Sequence, residues 1–391
     1  MTIPHYDIII AGGGLVGALC AQALKSLSLN IALVENVAPD LRMDEHYDMR
    51  SLALARVTQE YLRQLGLWTA LEKTAVPIEQ IRVCEEGSWA TATLKAQEIK
   101  VDSLGQVVPF AHLNRTFWQT LMLDKKITVF APDQITQITH QTDKVVVQLK
   151  NKEQQLSTQL LIIAEGGHSS LRNQLGIGAV THDYEQSALV ANVSVSMHNG
   201  VAYERFLKEG AMALLPLEGE RYALIWVGAH AQTKRRCELE SHLFLDELQA
   251  TFGSHLGTLT RVGERQSFPL TRVIATEQVR SRVVLLGNAA HMLHPIAGQG
   301  FNLSVRDVKV LAETLQQALH DQRDVGDINV LREYCRKRQP DQQRVDYFIH
   351  GLVSLFSVHD YPLPWFRRFG LQAFSYLGPF KHRLMRFAIG G

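Results

Sequence analysis

The sequence predicts an α/β fold in which a parallel-sheet domain is interleaved with a β-rich, α+β domain and closed by C-terminal helices. Three observations carry this. A strand, a glycine turn, a helix and a second strand follow one another in "YDIIIAGGGLVGALCAQALKSLSLNIALVE", the start of a parallel sheet. Two remote apolar runs, "QLLIIAEGG" and "VVLLGNAAH", also break at glycines. Between about Val180 and Phe268, short apolar strands such as "ALVANVSVSM" and "YALIWVGA" dominate.

Taken in order, Tyr6 to Ala11 read as a buried strand, Leu15 to Leu27 as a helix of small apolar residues, and Asn30 to Glu35 as the second strand. Ser51 to Leu67 carries a helical pattern that stops at Gly66, and Val76 to Val108 looks like irregular strand. "RTFWQTLML" gives a helix and "KVVVQLK" a strand, and a helix is expected over Glu238 to Phe252. The stretch "VVLLGNAAHMLHPIAGQGFNLSVRDV", Val283 to Val308, returns to strand, loop and helix, and the chain is mostly helical after Asp327. The expected domains are therefore discontinuous. Residues 1–75, 98–178 and 273–326 would build the parallel-sheet domain, 76–97 and 179–272 the β-rich substrate domain, and 327–391 a helical C-terminal region.

With 391 residues, 46% hydrophobic and 20% charged, the chain can bury a sizeable core. A formal net charge of +1 gives no electrostatic case for nucleic acid as a partner. Cys20, Cys84, Cys237 and Cys335 are far apart and read as reduced thiols of a cytoplasmic protein. No signal peptide is expected, since no Lys or Arg precedes Lys25, and no window reaches the ~18 apolar residues a spanning helix needs.

"GGGLVG" places Gly12, Gly14 and Gly17 in GxGxxG spacing between a strand and a helix, which makes the domain Rossmann-like. Gly12 permits the tight turn, Gly14 lets a pyrophosphate approach the backbone, and Gly17 lets helix and strand pack closely. Glu35, ending the second strand, would accept hydrogen bonds from ribose hydroxyls and disfavours a 2′-phosphate there. The motif alone leaves FAD and NAD open.

The three glycine-bearing segments together decide between them. "GGGLVG", "LIIAEGGHSSLR" and "LLGNAAHMLHPIAGQGFNLSVRD" resemble, in order, the signature segments of the flavin-dependent aromatic hydroxylases built like para-hydroxybenzoate hydroxylase. "AYERFLKEGAMALLPL", "FPLTRVIA" and "GQGFNLSVRDV" are similar to the ubiquinone-biosynthesis branch of that family, and most similar to its 2-octaprenyl-6-methoxyphenol hydroxylases. Two departures stand out: Glu165-Gly166 replaces Asp-Gly in the second segment, and Asn288 replaces Asp in the third.

The resemblance implies FAD as cofactor, NADPH or NADH as transient co-substrate, and O2. It implies hydroxylation of a polyprenylated phenol through a C4a-hydroperoxyflavin. Glu165, Gly166, Gly287 and Asn288 would contact the cofactor, Asn288 at a ribityl hydroxyl. Pro295, Gly298, Gln299, Gly300, Phe301 and Asn302 would bring a stiff, bare loop and a helix N-terminus to the flavin ring. Arg50 matches an arginine held close to the flavin, and Arg115 falls where the FAD phosphates are contacted. A helix-start pairing of Arg50 with Asp48 is the competing reading. His291 and His294 have HxxH spacing, but no second ligand cluster exists and no metal is expected. His294 is a candidate near the ring, or a packed loop histidine.

From Tyr361 to Gly391 the basic residues Arg367, Arg368, Lys381, Arg383 and Arg386 are interleaved with Trp365, Phe366, Phe369, Phe374, Tyr376, Phe380 and Phe387, and acids are absent. This suits a bilayer surface or a lipid-presenting partner, hence peripheral association at the inner membrane, or equally a packing helix with a solvated basic face. The rival functions are a related flavin hydroxylase of another quinone-pathway step or of a small soluble aromatic, a non-catalytic FAD-binding scaffold, and an NAD-dependent dehydrogenase. The last gives the Gly298 segment no role.

Overall fold

The computed structural model describes residues 3–39, 41, 50–87, 91–151 and 153–357. The parallel sheet has His5–Ala11 at its centre, flanked by Ile31–Val34 on one side and Gln155–Ile163 on the other. Ile127–Phe130 extends it beyond Ile31–Val34, and Val283–Leu285 beyond Gln155–Ile163. Ile8, Ile9 and Ile10 are fully buried because the sheet is covered on both faces, so an unbroken apolar run is what the position requires. Ile8 and Ile10 face one core with the helices, and Ile9 faces another, completed by strands Ile135–His140 and Val145–Leu149.

The helix Leu15–Leu24 is wedged between the sheet, the helix Phe110–Met122 and the helix Gln299–His320. Burial on nearly every side explains its small residues and the absence of charge. Burial pushes the Cys20 thiol in it up to about 12, which makes it unreactive.

The second sheet runs, in spatial order, through His291–Met292, Gln266–Ala275, Ala179–Val195, Arg221–Ala229, Gly210–Leu217, Val201–Leu207, Gln80–Glu85 and Thr91–Lys95. Its strands alternate with period two. Tyr203, Met212, Leu214, Leu224 and Trp226 pack against Phe244, Leu248 and Phe252 of a covering helix, while Ala202, Phe206, Ala211, Ala213, Ile225 and Val227 face a cavity. His291–Met292 belongs to this sheet, well past the expected end of the β-rich segment at 272.

Two expected elements differ. Ser51–Ala55 is a strand, in a three-stranded sheet with Gly105–Pro109 and Val76–Ile78, and only Arg56–Gln64 is helical. Pairing with a neighbour overrides a helical pattern that the small alternating residues "SLALA" carried weakly. The helix expected over Glu238 to Phe252 is present from Ser241 to Phe252, and a separate, unexpected helix, His230–Glu238, precedes it, with extended backbone at Leu239 and Glu240 between them. Ile328–Ser357 is one long helix packed on Gln299–His320. Among the described residues, no helix is long and apolar enough to cross a membrane.

Candidate active site

The register of the parallel sheet brings the three glycine segments together. Ala11 pairs with Val34 and with Ile163, and Ile163 pairs with Leu285. Gly12, Glu35, Ala164 and Leu286 are therefore the residues next beyond one line across four strands, at their carboxyl ends. The central strand is where the strand order reverses, the point at which such sheets bind ligands.

The turns there are shaped for an anion. Gly12 adopts φ +102°, and a Cβ on it would lie 2.6 Å from the Ala164 carbonyl oxygen. A Cβ on Gly17 would lie 1.8 Å from the Gly12 carbonyl oxygen, so only glycine lets the helix approach the strand. Around Gly14 nothing stands within 4 Å of that position, which leaves the backbone open at the helix N-terminus. Glu35 accepts the Gly13 N–H at 2.5 Å and the Val37 N–H at 2.9 Å, so its carboxylate is fixed at the cavity edge.

The second segment is locked to the third. Glu165 accepts hydrogen bonds from the Ser169 hydroxyl at 2.8 Å and the Leu171 N–H at 3.1 Å, and Ser169 caps the short helix Ser170–Gln174 by accepting the Arg172 N–H. The buried Arg172 guanidinium donates to the Ala289 carbonyl at 3.1 Å. One Glu165 oxygen is thus committed to local structure, and the residue still lines the cavity with Gly166.

Beyond Asn288 the chain turns through Pro295 to Gly298, in left-handed conformation at φ +58°, and enters the helix Gln299–His320. The first-turn N–H groups of Gly300 and Phe301 precede the helical ladder at the cavity wall. Asn302 departs from expectation. Its side-chain amide donates to the carbonyls of Ala53 and Gly298, and its oxygen accepts from the Ala55 N–H and the Thr58 hydroxyl, all at 2.8 Å. The side chain has no capacity left for a cofactor. It is a brace between the Gly298 loop and the Ser51–Ala55 strand.

One cavity of about 1090 Å³ holds these parts together. Gly12, Gly14, Glu35, Glu165, Gly166, Asn288, His294, Pro295, Gly298, Gln299, Gly300, Phe301 and Asn302 line it. Gly17 and Gly287 stand behind the lining, Gly287 at φ +60° against Val16. The Arg50 guanidinium lies 3.9 Å from the ring centre of Phe110, a lining residue, and 5.7 Å from that of Phe268. Its expected competitor partner, Asp48, falls outside the described residues. Arg115, on the helix Phe110–Met122, is not among the residues that line this cavity.

The two histidines of HxxH part company. The buried His291 pairs with Asp307, which also accepts from Arg338 at 2.6 Å and Gln342 at 2.9 Å. Burial alone would push the Asp307 carboxyl up, but the His291 and Arg338 charges outweigh it and hold it below the ordinary value. His294 lines the cavity, and burial pushes its pKa down to about 4. Several lining residues carried no signal recognised in the sequence: the Ser51–Ala55 strand, Leu104, Phe110, and Phe348, Leu352 and Leu355 of the last described helix. Only the 348, 352, 355 helical spacing could have pointed to the last group.

Glycine turns open to an anion at one end, a bare loop and helix N-terminus at the other, and an apolar chamber beyond define a flavoprotein of the monooxygenase fold. The residues fit FAD: the open backbone at Gly14 has room for the phosphates, and the Gly298 loop lies in the same cavity for the ring. The comparisons agree. The FAD binding domain family model matches residues 5–347, and the chain belongs to this family of flavin-dependent aromatic hydroxylases. It is 35% identical over 385 residues to the ubiquinone hydroxylase UbiL of Rhodospirillum rubrum, covering 98% of this chain and 89% of that protein. It is 30% identical to the 3-demethoxyubiquinol 3-hydroxylase of Escherichia coli over the full length of both. In fold, p-nitrophenol 4-monooxygenase PnpA of Pseudomonas putida matches with a TM-score of 0.83 at 16% identity, over 100% of this chain and 99% of that one. HpxO of Klebsiella pneumoniae, solved with FAD and uric acid, matches with a TM-score of 0.77 at 18% identity, over 98% and 95%.

Proposed function

We propose that the protein hydroxylates the ring of an uncharged, polyprenylated phenol on a route to ubiquinone, with 2-octaprenyl-6-methoxyphenol as the candidate substrate. The observation that carries this reading is the chamber wall. Ile81, Val83, Leu94, Phe206, Leu215 and Ile225 supply it, and no Lys or Arg occurs among the described lining residues. A hydroxybenzoate would place a carboxylate in apolar surroundings without a cation and with Glu204 in the wall, a costly burial of unpaired charge. A prenyl chain gains from the same wall about 25 cal/mol for each Å² it buries. The relatives, named a ubiquinone hydroxylase and a 3-demethoxyubiquinol 3-hydroxylase, support a ring on the route to ubiquinone.

FAD, when bound, supplies the electron transfer from NADPH or NADH and the activation of O2. The chain's residues do the rest. The Gly12–Gly17 turn would hold the phosphates, Glu35 the ribose, and Asn288 the ribityl chain, where an amide adds no charge. The Gly300 and Phe301 amides, at the helix N-terminus on the cavity wall, would stabilise the negative charge that the ring gains on reduction. The apolar wall excludes water from the reacting ring.

The test is substrate-stimulated NAD(P)H oxidation with a short-chain prenylphenol against 4-hydroxybenzoate. Stimulation and a hydroxylated product are expected with the first alone, and stimulation by hydroxybenzoate alone refutes the reading. No stimulation by any phenol would favour the scaffold alternative. Mass spectrometry of quinone intermediates accumulating in a deletion strain assigns the ring carbon.

The same reading extends to a lipid surface. Its basis is the basic and aromatic sequence from Tyr361 to Gly391, which lies outside the described residues and follows the helix that carries Leu352 and Leu355 to the cavity. A chain ending at Asp360 should lose binding to anionic liposomes; equal binding by the truncated and full-length proteins refutes the idea.

A further inference from the structure

The apolar chamber has a polar corner at His294 that no group among the described residues satisfies. His294 is only 2% exposed and lines both the main cavity and a smaller one of about 150 Å³ beside it. Its Nδ1 accepts the Ile296 N–H at 3.2 Å, so the neutral ring carries its proton on Nε2. That Nε2 is buried and has no partner among the described residues. Tyr184 meets the imidazole edge to face, with ring centres 4.9 Å apart, and its hydroxyl is likewise buried without a partner. His350, 6.4 Å from Tyr184 between ring centres, adds a third such atom, Nδ1. The nearby charges are already spent on each other, since Arg272 and Asp346 form a two-pronged pair at 2.7 and 2.5 Å.

A buried donor left unmet is destabilising, so native proteins rarely leave one beside a cavity without a use for it. Low accessibility also keeps this imidazole uncharged at neutral pH, because burial holds its pKa at about 4. The result is a donor fixed in one tautomer by the Ile296 amide and fixed in plane by Tyr184. A ligand pocket with apolar walls and one placed donor orients a ring by a single oxygen.

We propose that His294 donates a hydrogen bond from Nε2 to the phenolic oxygen of the substrate and so sets which edge of the ring faces the flavin loop. This rests on the hydroxylase reading given above and names the residue that selects phenols within it. The contact is non-covalent and no proton changes hands on the imidazole. A pinned donor favours the more electron-rich, ionised form of the phenol over the neutral one, because an anionic oxygen is the stronger acceptor.

The test is calorimetric titration of the FAD-loaded protein with two probes: a 2-methoxyphenol bearing one short prenyl chain, and the same compound lacking the hydroxyl. The unmodified protein should prefer the phenol by about tenfold, the usual worth of one hydrogen bond to a well-placed donor. His294→Phe should bring that preference close to unity, and His294→Asn, whose amide can still donate, should restore part of it. Tyr184→Phe should keep most of the preference. Flavin content and circular dichroism identify a misfolded variant, and His294→Asn then decides alone: a preference undiminished from that of the unmodified protein overturns the proposal. An undiminished preference in folded His294→Phe, or its loss in Tyr184→Phe alone, also overturns it. If the unmodified protein oxidises NAD(P)H in response to the phenol yet either result is found, only the His294 assignment falls. If it neither binds nor responds to the phenol, the hydroxylase reading falls with it.

Discussion

Replacing Asn302 by alanine tests whether the flavin loop is held by the protein or by the cofactor. Asn302 is 2% exposed and makes four hydrogen bonds of 2.8 Å, two as donor and two as acceptor. Each nets ~1 kcal/mol, and a buried partner left unmet costs ~1–3 kcal/mol. The bonds from the Ala55 N–H and the Thr58 hydroxyl are buried, whereas those to the carbonyls of Ala53 and Gly298 are only part-buried, so these carbonyls can recover water. The loss should be about 3–5 kcal/mol, a large part of the ~5–15 kcal/mol that usually holds a fold together. Asn302→Asp should be no better. It keeps two acceptor bonds but sets a carboxylate oxygen against two carbonyls. The assay is urea unfolding of the FAD-free protein, followed by FAD titration. A loss below about 1 kcal/mol in the FAD-free protein, joined to a large fall in FAD affinity, would refute the brace and make the side chain a cofactor ligand.

Other outcomes follow from the same geometry. Gly17→Val should fold poorly and retain no FAD, because its Cβ must push the Gly12 carbonyl out of the turn; a yellow, stable variant would contradict this. Asn288→Asp should keep FAD but lower its reduction potential by placing a negative charge near the ring, and an unchanged or higher value in spectroelectrochemistry would refute that. Stability should fall as pH drops from about 6.5 to about 4, since the unfolded His294 takes a proton near 6.5 and the folded one only near 4. The unfolded state binds more protons in that window, which is worth about 3 kcal/mol at its acid end. The groups facing His294 are Tyr184, with His182, His350, Arg272 and Asp346 beyond. His294→Phe should flatten the slope, and an unchanged slope assigns it to other groups.

What was legible in the sequence followed from local rules. GxGxxG after an apolar strand dictates a turn that only glycine can make, and Gly12 and Gly17 show the reason in their approach to Ala164 and to each other. The convergence of Gly12, Glu35, Ala164 and Leu286 was legible only through the family resemblance, because sheet order is not a local property. What escaped were roles set by remote contacts. Asn302 reads the same whether it touches a flavin or four protein atoms. The Ser51–Ala55 strand exists because Gly105–Pro109 lies beside it. Tyr184 looked like any strand residue until His294, which is 110 positions away, was placed against its ring.

These contacts divide the flavin site into two mechanical halves. The proposed phosphate end would rest on the parallel sheet, whose register sets Gly12 and Glu35 side by side. The ring end rests on a loop tied down by Asn302 to a small three-stranded sheet, and by Arg172 to the segment before it. Damage to one support should not reach the other, since contacts through separate partners add nearly independently. Asn302→Ala should therefore bind ADP, which samples only the phosphate end, with unchanged affinity while losing affinity for FAD. Gly17→Val should lose both. Equal losses of ADP and FAD in Asn302→Ala would show that the halves move as one body, and the loop would then owe its position to the parallel sheet rather than to its brace.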